Sequence, residues 1–265
     1  MSLPTDEERS VLRAVIFDYG HTLVDFTVPE DALHGVYGEI RTRLVAEASV
    51  EVPEAADLVE LVARQVTRRV DESYAHDRLV ELDILHLFTA ALTGLGFAPS
   101  PDTVRWIAET EHHALARHLH VPPDSLTALR DLRSAGLRMG VISNAHLLPY
   151  MMRRDWDALG FGQLLDDSVI SSEVGIRKPH PDIFLDLLGR LGVDASEAVF
   201  VGDRLLDDVG GAHGIGMRAI LTRQFRAEEV GPETAQPDFV VDRLPNIVPW
   251  VFERASEATV PGKSR

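Results

Sequence analysis

The sequence predicts an α/β protein, a doubly wound parallel sheet with a block of helices inserted into it. Three observations carry this reading. Short apolar runs alternate with helical segments from Val121 to Arg254, the pattern of right-handed parallel crossovers. Three of the runs end in polar residues, at Asp18, at Ser143-Asn144 and at Gly202-Asp203, as strands do at the ligand-binding edge of an open sheet. Between the first run and the rest, residues 28–120 lose turn punctuation and their apolar residues recur at helical spacing. The expected division is a core of residues 11–27 plus 121–254, a helical insert of residues 28–120, and flexible tails at 1–10 and 255–265.

Taken in order, Ala14 to Phe17 is apolar with no polar face, as a strand buried on both sides requires. Asp18 follows at its carboxyl end, Gly20 lets the chain turn, and Thr22 offers a hydroxyl beyond the turn. Four amphipathic stretches come next. They are Leu33 to Leu44, Leu58 to Arg69, Leu82 to Leu95, and Val104 to Leu119, and together they read as a four-helix bundle. Pro53 and Pro101 sit where first helical turns favour proline, and Gly94-Leu95-Gly96 reads as a helix end. A helix with Leu126, Leu129 and Leu132 inward closes at Gly136, and Leu137 to Ile142 is the second buried strand. A helix near 147–159, a short strand at Val169-Ile170 and a helix over Ile183–Leu191 follow. Ala198–Val201 and Arg218–Leu221 are further strands, Phe239–Val241 is the last strand, and Ile247–Arg254 is the last helix.

Composition narrows the function. The 265 residues carry a formal net charge of −16, which opposes binding to nucleic acid and to anionic membranes. Cysteine is absent, so disulfides, thiolate metal sites and Cys nucleophiles are ruled out. The polar, acidic start does not read as a secretion signal, and no apolar run approaches a membrane span, so a cytoplasmic protein is expected. Lysine occurs twice, as Lys178 and Lys263. Lys263 falls in the polar tail, whereas Lys178 lies in a conspicuous Gly-Ile-Arg-Lys-Pro run and draws attention.

A parallel sheet brings the polar strand ends to one edge, so Asp18, Ser143, Asn144 and Asp203 are expected to share a cleft with Lys178. A carboxylate, a hydroxyl, backbone donors and further carboxylates suit a phosphate held with a divalent cation. Each residue alone has a plainer reading: Asp18 as a turn cap, Ser143-Asn144 as a polar step out of a strand, Lys178 as a solvated charge, Asp207-Asp208 as a helix N-cap. Their joint occurrence is what argues for chemistry. The four segments Asp18-Tyr19-Gly20-His21-Thr22-Leu23, Val141-Ile142-Ser143-Asn144, Gly175-Ile176-Arg177-Lys178-Pro179 and Val201-Gly202-Asp203-Arg204-Leu205-Leu206-Asp207-Asp208 resemble, in order and spacing, the four motifs of the haloacid dehalogenase-like hydrolases. The resemblance implies a Rossmann-like core with a helical cap of the C1 type. It implies Asp18 as nucleophile, and Ser143, the Asn144 N–H and Lys178 on the phosphoryl group. It also implies Mg²⁺ held by Asp18, the backbone carbonyl of Gly20 and Asp203, with Asp208 as a ligand or an orienter of bound water. The expected reaction is hydrolysis of a small phosphorylated metabolite through an aspartyl phosphate.

One position departs from the pattern. Gly20 stands where the family usually has a second Asp, the acid that protonates the leaving oxygen. The proton would then come from water, from the substrate or from His21, whose titration range fits. The alternatives are carbon–halogen hydrolysis on Asp18, or a catalytically impaired binding protein. Retention of Asp203 and Asp208 argues for a metal and hence for phosphate. Phosphonate cleavage through a cap lysine is excluded, because residues 28–120 contain no lysine. His112, His113, His118 and His120 lack the i, i+4 spacing of a helical zinc site and read as a solvated or core-edge helix face.

Overall fold

The structure, a computed structural model, describes residues 11–26, 30–47, 49–76 and 79–256. The chain runs β1 (Ala14–Phe17), β2 (Asp25–Phe26), α1 (Glu30–Glu47), α2 (Ala55–Leu58), α3 (Arg64–His76), α4 (Ile84–Gly94), α5 (Pro101–Ala116) and β3 (Leu119–His120). It continues through α6 (Pro123–Ser134), β4 (Arg138–Ser143), α7 (Pro149–Ala158), β5 (Asp167–Ile170), α8 (Ser171–Val174) and α9 (Pro181–Leu191). The last elements are β6 (Ala198–Gly202), α10 (Gly211–Gly214), β7 (Arg218–Thr222), β8 (Phe239–Val241) and α11 (Ile247–Ser256).

Six strands form one sheet in the order β5-β4-β1-β6-β7-β8, and every pairing in it is parallel. β1 lies inside the sheet, with Phe17 level with Val141 of β4 and with Val201 of β6. That register brings Asp18, Ser143 and Asp203, each just past the last paired residues, to one edge. The period-2 alternation of strand side chains divides the core. Val15, Phe17, Val141 and Val201 pack on one face with Leu129, Trp156 and Val251. Ile16, Ile142 and Phe200 pack on the other with Phe184, Leu187 and Val209. Helices on both faces explain why these strands are apolar throughout.

The helices between β2 and β3 have a core of their own, built from Tyr37, Ile40, Leu58, Phe88, Ile107 and their neighbours. Their ends follow local chemistry. Asp83 caps α4 by accepting from the Leu85 N–H at 2.8 Å. Ser100 caps α5 by accepting from the Thr103 N–H at 3.1 Å, with Pro101 at the first helical position. The expected helix over 58–69 is continuous from α2 into α3 through a π-helical turn at Val59–Ala63. It begins at Ala55, so Pro53 precedes it instead of lying in its first turn. Leu82 precedes α4, and Leu119 leaves the helix for β3, which pairs antiparallel with β2. That two-strand ribbon, too short to give a period, joins the two ends of the helical segment to each other. α11 extends to Ser256, so Ala255 and Ser256 belong to the last helix and not to a tail. The rest of the expected tails lies outside the described residues.

A second contact ties the helices to the sheet. Val80 bridges Ile176, the Glu81 N–H donates to the Gly175 carbonyl at 3.0 Å, and the Arg177 N–H donates to the Leu79 carbonyl at 2.9 Å. Arg177 is fully buried beneath this contact. Its guanidinium donates to Glu81 Oε1 at 2.5 Å and to Ser73 Oγ at 2.7 Å, and it stacks on Tyr74 at 4.0 Å. Ser171 Oγ donates to the other Glu81 oxygen at 2.5 Å, so both carboxylate oxygens are engaged, while the Arg177 Nε has no partner among the described residues.

Candidate active site

Asp18 leaves the end of β1 with its N–H bonded to the Val201 carbonyl at 2.9 Å, which fixes the carboxylate over the sheet edge. Lys178 meets it there. Its Nζ donates to Asp18 Oδ1 and to Asp208 Oδ1, both at 2.7 Å, and lies 5.1 Å from the centre of the Phe200 ring. The lysine is only 2 % exposed, so both bonds are shielded from water. Asn144 holds it in place. The Asn144 amide donates to the Lys178 carbonyl at 3.0 Å and its Oδ1 accepts from the Lys178 N–H at 2.7 Å. The asparagine side chain is therefore a clasp between the second and third motifs, a role the sequence pattern did not reveal. Ser143, buried at the end of β4, opens onto the same space.

Three carboxylates crowd this point. Oxygens of Asp18, Asp203 and Asp208 all lie within 4.8 Å of one another. Burial and the charges of Asp18 and Asp208 push the Asp203 carboxyl well above the usual carboxylate range, although Arg226 donates to its Oδ2 at 2.8 Å. Burial also raises Asp208, against the pull of Lys178 and of the Arg204 N–H on its Oδ2 at 2.9 Å. For Lys178, burial works against the charge, but Asp18 and Asp208 outweigh it and hold the ammonium firmly protonated. One lysine and one arginine against three close carboxylates leave negative charge uncompensated. An all-oxygen, hard donor set with that deficit fits a divalent cation.

The turn after Asp18 is shaped by what Gly20 lacks. A Cβ there would stand 3.1 Å from Cε1 of Phe26, whose ring covers the glycine. His21 adopts φ 59°, in the left-handed region, stacks on Phe26 with centroids 4.4 Å apart, and places Nδ1 3.5 Å from Asp25 Oδ1. Partial burial and the Arg226 charge lower its pKa, which favours neutral imidazole. Thr22 is fully buried and its hydroxyl has no partner among the described residues.

A cavity of about 910 Å³ opens between this edge and the helices. Residues of α3, α4 and α5 form its far wall, including Tyr74, Phe88, Glu111 and His112. Glu111 accepts from the Tyr37 hydroxyl at 2.6 Å, and burial pushes its carboxyl up to about 7. His112 Nε2 and Asp155 Oδ2 are 2.6 Å apart, linking α5 to α7, and both line the cavity.

Comparison with known proteins settles the family. A family model described as haloacid dehalogenase-like hydrolase matches residues 12–216. The chain belongs to the haloacid dehalogenase-like hydrolases. It is a hydrolase by that membership. A glyceraldehyde 3-phosphate phosphatase of Methanopyrus kandleri is 29 % identical over 252 residues, which cover 93 % of this chain and 100 % of that protein. The crystal structure of a HAD phosphatase from Thermococcus onnurineus superposes with a TM-score of 0.62 at 24 % identity, covering 91 % of this chain and 98 % of that one, a likeness of fold. A 2-haloacid dehalogenase from Pseudomonas syringae pv. Tomato also superposes with a TM-score of 0.62, at 27 % identity, covering 92 % of this chain and 99 % of that one.

Set beside the motifs of the haloacid dehalogenase-like hydrolases, the residues expected at the site come together. Asp18, Gly20, Ser143, Asn144, Lys178, Asp203 and Asp208 all border the one cavity. Others were missed. Arg204 and Arg226 reach it as well, and Arg226 comes from the loop after β7, which has no motif. His112 was read as part of a solvated or core-edge face, yet it is buried on a carboxylate. Its place on the apolar face with Val104, Ile107 and Leu115 agrees with the core-edge half of that reading, and the carboxylate partner is what the sequence left out.

Proposed function

We propose that the protein is a Mg²⁺-dependent phosphatase of a small phosphorylated metabolite, working through an aspartyl phosphate on Asp18. The observation that carries this reading is the arrangement of Asp203 and Asp208 beside Asp18. Attack on a carbon–halogen bond has no use for that acidic pair, whereas a phosphate dianion next to a carboxylate nucleophile needs a cation there. Under this reading Asp18, Asp203 and the Gly20 carbonyl hold the metal, and Asp208 ligates it or orients its water. When bound, the ion neutralises charge on the phosphoryl oxygens and aligns phosphorus with the nucleophile.

The protein groups divide the remaining work. An Asp18 oxygen attacks phosphorus, the bond from phosphorus to the ester oxygen breaks, and the leaving alkoxide takes a proton from water, since position 20 carries no acid. Water then attacks the same phosphorus, which releases phosphate and restores the carboxylate. Lys178 offsets charge on nucleophile and phosphate, and the Ser143 hydroxyl and Asn144 N–H hold phosphoryl oxygens. With the Asn144 side chain committed to Lys178, its backbone is the group left for substrate. Residues 28–120 act as a cap that shuts water out and faces the leaving group, with the core in residues 11–27 and 121–254. A cytoplasmic location accords with the absence, among the described residues, of any helix long and apolar enough to cross a membrane.

The test is hydrolysis of p-nitrophenyl phosphate with and without Mg²⁺, beside Asp18→Asn. Mg²⁺-dependent turnover that disappears in the variant is expected. The dehalogenase likeness and Gly20 favour one competing reading, 2-haloacid hydrolysis. Halide release from 2-chloropropionate without phosphatase turnover would establish it in place of the first.

A further inference from the structure

We infer that the substrate's leaving group bears no second acidic group, so that neutral or amine-bearing phosphomonoesters are taken and those carrying a carboxylate or a second phosphate are refused. The inference rests on the phosphatase reading of the site and concerns the half of the cavity that reading leaves unassigned.

The argument begins with where the positive charges are. Lys178, Arg204 and Arg226 are the only lysine and arginine side chains lining the cavity among the described residues, and all three belong to the core side. Each already faces a carboxylate. Lys178 is held by Asp18 and Asp208 at 2.7 Å, Arg204 NH1 lies 2.9 Å from Glu228 Oε1, and Arg226 NH1 lies 2.8 Å from Asp203 Oδ2. These groups surround the phosphoryl position. No arginine or lysine of the described helices reaches the cavity from the opposite side.

What faces the leaving group from the helices is acidic, neutral polar or apolar, apart from His112, which is already paired with Asp155. Asp71 and Glu111 are the acidic residues of that wall, and Tyr74 and Phe88 stand with aliphatic residues around them. The Tyr37 hydroxyl satisfies only Glu111 Oε2. His112 gives its Nε2 to Asp155. A carboxylate on the leaving group would therefore enter a partly dehydrated wall with no lysine or arginine to receive it and with two carboxyl groups nearby. Binding sites reject ligands in this way, by leaving a buried charge unpaired. An amine would find Glu111 and Asp71 as acceptors, and a hydroxyl or aldehyde would face no repulsion. The volume, about 910 Å³, also exceeds what a three-carbon ester fills, so bulkier leaving groups have room.

The decisive experiment uses matched esters. Phosphoethanolamine and 2-phosphoglycolate share a two-carbon skeleton and differ in bearing an amine or a carboxylate; ethyl phosphate is the neutral member. The expected kcat/KM for 2-phosphoglycolate is lower than for the other two by about tenfold or more. In Glu111→Gln combined with Asp71→Asn the ratio of phosphoglycolate to phosphoethanolamine turnover should rise by about tenfold, and in Glu111→Lys it should rise further. Each ratio is taken within one protein sample, so a general loss of folded enzyme cancels. A wild-type enzyme that prefers 2-phosphoglycolate, or a ratio that none of these variants moves, would overturn the inference while Mg²⁺-dependent hydrolysis of p-nitrophenyl phosphate left the phosphatase reading standing. If no ester is hydrolysed, p-nitrophenyl phosphate included, both fall together.

Discussion

The ring of Phe26 fills the space that a side chain on Gly20 would need, with Cε1 3.1 Å from the position of the missing Cβ. The loss of the second carboxylate is thus matched by an aromatic group that closes over its place. Restoring the acid by Gly20→Asp alone should fail to accelerate hydrolysis of alkyl phosphates, because the new side chain must displace the ring. Gly20→Asp with Phe26→Ala should raise alkyl phosphate turnover by about a hundredfold over Phe26→Ala alone, the lower end of the range for a positioned general acid. p-Nitrophenyl phosphate, whose leaving group departs without a proton, should respond much less. Equal gains for both substrates would contradict this account of the turn.

Lys178 separates Asp18 from Asp208 inside a nearly closed space. Lys178→Ala would leave those carboxylates facing each other and Asp203. The expected cost is about 3–5 kcal/mol of folding stability, the usual penalty for removing one partner of a buried ionic group. Urea unfolding at neutral pH measures it. A second measurement in millimolar Mg²⁺ should recover part of the loss, and a destabilisation below about 1 kcal/mol would mean that the lysine's charge is not needed there.

Divalent cation binding should stabilise the folded chain, since the acidic oxygens within 4.8 Å exist as a set only when it is folded. Thermal unfolding in chelator and then in rising Mg²⁺ should give a Tm that climbs with concentration. Asp203→Asn should abolish the climb. A Tm that ignores Mg²⁺ in the wild type would remove the metal from this picture, whatever the activity.

Glu111 gives stability a defined pH dependence. Burial raises its carboxyl from 4.5 to about 7, so the folded state holds this proton more tightly than the unfolded chain does. The associated stabilisation is complete below 4.5 and is lost as pH rises through about 7. Glu111→Gln should therefore unfold with a smaller decline in stability between those pH values than the wild type. Denaturant midpoints measured across the window decide it; parallel wild-type and variant curves would show that Glu111 titrates normally.

The parallel core was readable because each of its strands is an unbroken apolar run, and burial on both faces leaves no other composition open to them. Asp18, Ser143 and Asp203 could be gathered from the sequence, since residues that end neighbouring parallel strands have to meet. The ribbon of β2 with β3 was invisible for the opposite reason: two residues a side display no periodicity. The partners of His112 and Arg226 were equally hidden. Asp155 and Asp203 lie 43 and 23 residues away from them, and helical or strand spacing carries no information about contacts made across a cavity. Nothing in the sequence marks Glu111, whose setting is made by the Tyr37 hydroxyl and the cavity wall.

The buried pair of Glu81 and Arg177 bears on how such chains can be recombined. Arg177 immediately precedes Lys178, so the helical segment supplies a carboxylate to the loop that carries the site's lysine. Exchanging residues 28–120 for the helices of another family member would swap the leaving-group wall, the obvious route to a new specificity. Unless the graft brings an acid to the place of Glu81, it would strand an arginine in the interior one residue from the chemistry. Chimeras designed by sequence blocks should therefore treat position 81 as belonging with 177, whichever parent provides the rest of the helices.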